Sequence, residues 1–117
     1  MKIDEPAEYP ILSQALARWC EQYRPELHER GVEASVSRSS DSVEKPMIAL
    51  ALDGADRLGQ LLLWSTGETE LGVIEADGET EILVETRETT TLFGLQESVD
   101  AVTSAVLAEE TTYRLPL

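Results

Sequence analysis

Three short apolar runs separated by two glycine turns constrain the fold of this sequence most strongly. They lie in LGQLLLWSTGETELGVIEADGETEILVE, which spans Leu58 to Glu85. The turn dipeptides are Thr66-Gly67 and Asp77-Gly78, and Asp-Gly is preferred in two-residue hairpins because both central residues need a positive φ. Each run is shorter than a typical helix and is rich in leucine, isoleucine and valine. The stretch therefore predicts three antiparallel strands joined by tight turns.

A helix is predicted before these strands. It starts at Pro10, because a first helical turn tolerates proline, and its last turn ends at Leu27 before a stop at Gly31. Pro25 should end or kink it near Tyr23. The apolar residues recur at helical spacing: Ile11, Leu12, Ala15, Leu16, Trp19 and Tyr23. We interpret Trp19 as a core residue.

Two further strands and a closing helix complete the pattern. Residues 32–36 and 48–52 are predicted strands, and the second ends at the turn residues 53–56. Thr91 is the predicted N-cap of a helix that continues to about Glu109. Its apolar stripe is Leu92, Leu95, Val99, Val102 and Val106. The sequence thus predicts an α+β fold in a single domain, residues 1–117: a five-stranded antiparallel meander sheet with N- and C-terminal helices packed on one face.

Two-residue turns would also determine how the strands pair. If Ser65 pairs with Glu68, Leu62 lies opposite Leu71, and the second turn then places Leu71 opposite Val84. These two registers agree, because the three apolar residues fall in one row of one face. The face covered by the helices would carry Leu58, Leu62, Trp64, Leu71, Val73, Ile82 and Val84.

The opposite face is also apolar, and two helices cannot cover it. Apolar residues surrounded by acids are typical of an interaction surface. The predicted partner-binding residues on this face are Leu61, Leu63, Glu70, Ile74, Glu81, Leu83 and Glu85. Two alternatives remain open: a homodimer through the same sheets, and partial cover by the 37–44 loop and the C-terminal tail.

The net charge of −14 limits the partners of this chain. Twelve acidic residues against Arg87 alone lie between Gly67 and Glu110. Nucleic acid and anionic membranes would be repelled, and a homodimer of two such faces would bring like charges together. The alternative is that the acidity simply keeps a small protein soluble. The charge favours a basic protein partner and a monomer or weak dimer, with no nucleic acid and no membrane as partners.

Groups that could perform chemistry are few. His28 is the only histidine and lies in a polar turn, and Cys20 is the only cysteine. The sequence contains no phosphate-loop motif, no metal-ligand spacing and no serine nucleophile elbow. The clustered Glu70, Glu81 and Glu85 would lie on an open sheet without a pocket. We expect no catalytic residue, no metal site and no cofactor, and therefore a protein that is not an enzyme.

The expected location is the cytoplasm. A single cysteine excludes an internal disulfide and suits a reducing compartment. The first residues contain no signal-peptide core, and no apolar run approaches the length of a membrane span.

The central strands and the closing helix resemble those of a known family. RLGQLLLWSTGETELGVIEADGETEILVE and the helical LQESVDAVTSAVL are similar to TriTu-type immunity proteins of bacterial polymorphic toxin systems. The likeness lies in Arg57-Leu58-Gly59, in Trp64, Gly67 and Glu68, and in the closing helix, and it covers about Ile48 to Leu107. The resemblance implies a small acidic α+β cytoplasmic protein, encoded beside a secreted toxin, that binds and blocks that toxin. The family's name further implies a toxin that ADP-ribosylates elongation factor Tu.

These observations predict an inhibitor that occludes a basic active site. Its acids would mimic a negatively charged substrate, and its leucines would supply desolvated anchors. An alternative class is a small acidic secretion or assembly chaperone, which usually dimerises and keeps an apolar groove; mass in solution would separate the two. A third class is an enzyme that uses the clustered glutamates.

Overall fold

The computed structural model describes residues 2–40 and 44–116 and confirms the predicted order of elements. Within these residues, two helices flank five strands, which form one antiparallel sheet in the order β1-β2-β3-β4-β5. The elements are α1 (Tyr9–Glu29), β1 (Glu33–Arg38), β2 (Met47–Asp53), β3 (Arg57–Trp64), β4 (Glu68–Glu75), β5 (Glu81–Glu88) and α2 (Leu92–Leu107). The α+β meander between two terminal helices is therefore confirmed.

The helix boundaries follow from local signals. α1 has a proline in its first turn and continues through Pro25 to Glu29, so Pro25 does not end it near Tyr23. Thr91 is the N-cap of α2, as predicted, and its Oγ1 accepts a hydrogen bond from Gly94 N at 2.9 Å. Across the described ranges, neither helix has the length and apolar character needed to cross a membrane.

Both helices pack on the same face of the sheet. α1 contacts β1 and β2, whereas α2 contacts β3, β4 and β5. The helices begin at one end, where Ala7 N donates to Thr90 O, and they finish side by side, where Arg30 pairs with Glu109. The buried core between helices and sheet includes Leu12, Leu16, Trp19, Leu27, Ile48, Leu50, Leu52, Leu61, Leu63, Leu71, Val73, Leu95, Val99 and Val102. The predicted packing of both helices on one face is confirmed.

The C-terminal tail lies on the helices. Trp19 Nε1 donates a hydrogen bond to Tyr113 O at 2.7 Å. The Gln96 side chain donates to the same oxygen at 3.0 Å and accepts from Leu115 N at 2.7 Å. The suggestion that the tail covers the second sheet face is therefore wrong. The other suggested cover, the 37–44 loop, includes residues 41–43, which lie outside the described part of the chain.

The β3–β4 hairpin is closed by a three-residue loop, which changes the predicted register. Gly67 N donates to Trp64 O at 2.9 Å, and Gly67 has a φ of 95°. A turn followed by a residue of positive φ is a common three-residue hairpin loop. Leu61, and not Leu62, consequently lies opposite Leu71.

This one-residue shift reverses the two faces of β3, because side chains alternate along a strand. Leu61 and Leu63 point to the helices and are fully buried. Leu58, Leu62 and Trp64 occupy the alternate positions, away from the helices. Their predicted place in the core is wrong.

A bulge in β5 shifts the second register. Ile74 lies opposite Glu81, whereas the preceding residue of β4 lies opposite Leu83, so Ile82 is an extra residue in β5. Ile82 and Leu83 both pack against the core, and Val84 points away with 66 % of its surface exposed. The predicted core position of Ile82 is confirmed. The predicted positions of Leu83 on the outer face and of Val84 in the core are both wrong.

β3 and α2 approach closely at Gly59. A Cβ atom there would lie 2.4 Å from Val106 Cγ2 and 3.0 Å from Val102 Cγ1. Arg57, on the same side of β3, donates from Nη1 at 2.7 Å to Ala105 O, a carbonyl in the last turn of α2 that also accepts from Ala108 N. The absence of a side chain at Gly59 therefore sets the distance between α2 and the sheet.

Gly59→Ala should lower the free energy of unfolding by about 1–3 kcal/mol, because the valine rotamers in a helix are stiff and α2 must move to make room. Gly72→Ala is the matched control, since Gly72 lies in the neighbouring strand and its Cβ would meet nothing within 4 Å. The control should be neutral or stabilising by up to about 1 kcal/mol. Chemical denaturation of both variants measures the difference, and equal stabilities would contradict the close contact at Gly59.

Buried hydroxyl groups differ in how well they are satisfied. The Oγ1 of Thr69 lies 2.6 Å from that of Thr89 and donates to Gly67 O at 3.1 Å. Over the part of the chain that is described, Ser98 Oγ and Thr103 Oγ1 are buried without a hydrogen-bond partner. A buried polar group without a partner costs stability.

Thr103→Val should raise the free energy of unfolding by about 1 kcal/mol, because it removes an unsatisfied hydroxyl at nearly constant shape and helix propensity. The same substitution at Thr69, which is equally buried, should instead cost about 1–3 kcal/mol, because it breaks a satisfied network. Thermal melts of the two variants test the contrast. A lower melting temperature for Thr103→Val would show that its hydroxyl has a partner.

Candidate protein-binding face

The sheet face turned away from both helices is not covered by any described element. We call it the open face and define it by the outward-pointing strand residues: Glu33, Ser35, Ser37, Met47, Ala49, Ala51, Asp53, Leu58, Gln60, Leu62, Trp64, Glu68, Glu70, Gly72, Ile74, Glu81, Val84, Thr86 and Glu88. Buried residues alternate with these positions along β2, β3 and β4. The sheet therefore has one core face and one face available to a partner.

The centre of the open face is apolar and shallowly concave. Two depressions of about 300 Å³ and about 310 Å³ lie side by side, the first lined by Leu62 and Val84 and the second by Ile74. Gln60 and Gly72 line both. Gly72 has open space where a side chain would stand, so it lowers the surface between the two. Partner side chains could be buried here against apolar groups.

Acidic side chains border this apolar centre. They are Glu33, Asp53, Glu68, Glu70, Glu81 and Glu88. Glu33 lies directly opposite Asp53, and Glu68 lies directly opposite Glu88. Like charges in opposed positions destabilise a sheet. No outward-pointing residue of the five described strands is a lysine or arginine. The strands therefore supply no positive charge to balance the acids of the open face.

One cation reaches the open face from the loop before β2. Lys45 Nζ lies 5.0 Å from the centre of the Trp64 ring and 2.9 Å from Glu68 Oε2. The side chain of Lys45 is 41 % exposed and that of Glu68 is 58 % exposed. We call Trp64, Glu68 and Glu88 the Trp64 corner; Lys45 occupies it in the free protein.

Part of the predicted binding set lies on the open face. Glu70, Ile74 and Glu81 point outward as predicted. Leu61 and Leu63 are 0 % exposed beneath the helices, so their predicted position on the surface is wrong. The reason is the one-residue shift in the β3–β4 register.

The other two predicted residues lie on the helix side of β5. Leu83 packs against the core. Glu85 shares its side of the strand and pairs with Arg87 at 2.6 Å. Their predicted place on the open face is wrong, because the bulge at Ile82 shifts the β5 residues that follow it by one position.

The apolar residues that sequence reasoning missed on this face are Met47, Leu58, Leu62, Trp64 and Val84. A signal for those in β3 was present in the sequence. Gly67 is the third residue after Trp64, and glycine in that place is typical of a three-residue loop. That loop reverses the faces of β3 and reveals Leu62 and Trp64.

The two side chains considered for catalysis, His28 and Cys20, differ in their surroundings: one is exposed and paired with a glutamate, and the other is buried. The side chain of His28 is 70 % exposed, and its Nδ1 shares a hydrogen bond with Glu33 Oε1. Cys20 is buried, and this burial raises the pKa of its thiol, while Arg24 acts in the opposite direction. In the described ranges, no three His, Cys, Asp or Glu side chains gather in a way that could hold a metal ion.

The comparison with known families connects this architecture to one group. The family described as Immunity protein TriTu matches residues 14–105. The chain belongs to the TriTu immunity protein family. The match covers most of α1, all five strands and most of α2, and so extends further towards the N-terminus than the predicted resemblance. A search of the curated proteins finds no match. Membership of the TriTu family indicates an immunity role and implies a partner toxin.

The residues that carried the TriTu resemblance divide into two groups in the structure. Arg57 and Gly59 hold α2 on the sheet, and Gly67 closes the β3–β4 loop with a positive φ. Trp64 and Glu68 belong to the open face, at the Trp64 corner. The first group determines the fold, and the second is available for contact.

Truncation of adjacent leucines in β3 distinguishes the two faces. Leu63→Ala should lower the free energy of unfolding by about 2–5 kcal/mol, because Leu63 is completely buried. Leu62→Ala should cost about 1 kcal/mol or less, because Leu62 is half-buried on the open face. Denaturant titrations measure both values, and a larger loss for Leu62→Ala would mean that the faces are reversed.

Proposed function

We propose that this TriTu-family protein inhibits its partner toxin by binding it through the open face and occluding the active site. The supporting observation is the character of that face: an apolar centre bordered by six acidic residues on a sheet side that no described element covers. The family supplies the immunity role, and the face suggests how it is carried out.

The charge of the open face supports a basic toxin surface as its partner. Glu70, Glu81 and Glu88 take part in no ion pair among the described residues. Basic groups on a toxin would relieve the repulsion between opposed carboxylates and accelerate encounter. A toxin that binds a phosphate-rich substrate needs such basic groups in its active site, so the acids would occupy that site as substrate mimics.

The apolar centre supports a stable complex. Leu62, Ile74 and Val84 keep exposed surface in the free protein, although each is a large apolar residue. Their burial would favour binding, while the surrounding acids exclude other acidic surfaces. The narrower proposal is a cytoplasmic complex with a toxin that ADP-ribosylates elongation factor Tu, as the family's name suggests.

A chaperone that dimerises through the same face is less well supported. A symmetric pair of open faces would place two sets of six acids near each other, and no outward-pointing lysine or arginine of the described strands would balance them. Solution mass tests this: we expect a monomer, and a stable dimer would favour the chaperone.

Charge reversal tests the proposed interface with the partner toxin. Replacing Glu70, Glu81 and Glu88 together by lysine should slow association at least about tenfold and weaken its salt dependence. Replacing the exposed helix residues Glu21, Glu26 and Glu97 by lysine changes the net charge equally and is the matched control. Surface plasmon resonance at several salt concentrations gives the rates.

Truncation of an apolar residue tests the same interface through the dissociation rate. Leu62→Ala should weaken toxin binding by about 1–3 kcal/mol, mainly through faster dissociation, if Leu62 lies near the centre of the complex. Equal association rates for the two triple variants, together with unchanged dissociation for Leu62→Ala, would place the interface elsewhere.

A further inference from the structure

The Trp64 corner has the composition of a cation-binding site. An aromatic face, a carboxylate and a second carboxylate directly opposite it lie together on the open face. Lys45 contacts Trp64 and Glu68, whereas Glu88 has no ion pair within the described part of the chain. One ammonium group therefore sits where two carboxylates are available.

Lys45 is held there weakly. An ion pair between exposed side chains contributes little, because water screens it and both long side chains lose freedom. The contact of an ammonium group with an exposed ring is similarly modest. Both become stronger when a partner excludes water, so a cation brought by a protein surface would gain more at this corner than Lys45 does in the free protein.

A guanidinium group matches the corner better than an ammonium group. It is planar and can stack on the Trp64 ring, and its several N–H donors can bind more than one carboxylate, as the opposed residues Glu68 and Glu88 would offer. Met47 lies directly opposite Trp64 on β2 and is an apolar neighbour of the corner. The charge and shape of the corner thus favour arginine over lysine.

We propose that the Trp64 corner receives an arginine side chain of the bound toxin, and that Lys45 fills this site in the free protein and is displaced on binding. The inference rests on the proposed function, since it names the chemical group of the toxin that docks at one corner of the open face. Lys45 acts as an internal stand-in for the partner's cation.

Displacement of Lys45 is observed directly by NMR with a tri-arginine peptide as the probe. Lys45 Nζ lies over the Trp64 indole in the free protein, so the adjacent ε-methylene protons should carry a ring-current shift. Adding the peptide should move these signals towards their position in Trp64→Leu, and a tri-lysine peptide should need at least about threefold more material. Signals that stay unchanged at saturation with tri-arginine would overturn the proposal.

Variants at Lys45 separate occupation of the site from general charge. Lys45→Ala should bind tri-arginine about threefold to tenfold more tightly than the parent, because it empties the corner. Lys45→Met removes the same charge but keeps a side chain over the ring, and Arg38→Gln removes a charge from the exposed end of β1. Lys45→Met and Arg38→Gln should each increase the affinity for tri-arginine less than Lys45→Ala does. The double variant Trp64→Leu/Lys45→Ala should not show the increase. Equal gains for Lys45→Ala and Arg38→Gln would mean that net charge alone controls affinity.

Binding of the toxin itself separates this inference from the proposed function. Lys45→Ala should slow toxin dissociation about threefold to tenfold, and Lys45→Met should not. If open-face charge reversal slows association but tri-arginine leaves Lys45 in place, the proposal for the corner fails and the proposed function stands. A second outcome is that tri-arginine displaces Lys45 but open-face variants do not change toxin binding. In that case the open face is not the toxin interface and no toxin arginine docks at the corner, although the corner itself still binds arginine.

Discussion

The contact between Gly59 and α2 determines which side of the sheet becomes the core. Val102 and Val106 pack directly on the backbone of β3, at a distance that a side chain at residue 59 would prevent. Arg57 reinforces the contact through its hydrogen bond to the end of α2. Since side chains alternate along a strand, the neighbours of Gly59 on the same side must point into the core, and Leu62 must point out. The composition of the open face is a consequence of this packing.

As a monomer, the free protein would expose an apolar sheet face to water. Such surfaces tend to associate, and natural sheets limit this with charges and bulges at their edges. Both devices are present: Glu33 lies on the β1 edge, Glu81 and Glu88 lie on the β5 edge, and β5 contains a bulge at Ile82. The acids that would oppose unwanted association are also those that would select a basic toxin, so one set of residues could serve both purposes.

The division of roles along β3 and β4 suggests how a TriTu scaffold could serve different toxins. Leu61, Leu71 and Val73 face the helices and maintain the core, while the residues between them reach the surface. An exchange at Leu62 or Glu70 would change the open face without disturbing a core contact, because adjacent residues lie on opposite sides of the sheet. The Trp64 corner belongs to the same outward set. If the open face binds the toxin, recognition and stability are carried by alternate residues of the same strands.

Local signals in the sequence were sufficient for the elements and their order. The helical stripes and the cap at Thr91 each depend on residues close together in the chain, which is why their prediction agrees with the structure. The same holds for β4, where Glu70 and Ile74 alternate with Leu71 and Val73 and so indicate both faces correctly.

The faces of β3 and β5 were decided by tertiary structure. Leu61, Leu62 and Leu63 are consecutive, so the alternation of apolar and polar residues gives no direction, and the register depends on the loop that follows. That loop is held by a distant residue, because Gly67 O accepts a hydrogen bond from Thr89 N at 2.8 Å and a Cβ on Gly67 would lie 3.2 Å from Thr89 O. In β5 the extra residue, Ile82, packs against the core together with Leu83. Contacts between residues far apart in the chain therefore determine which apolar side chains form the core and which stay on the open face.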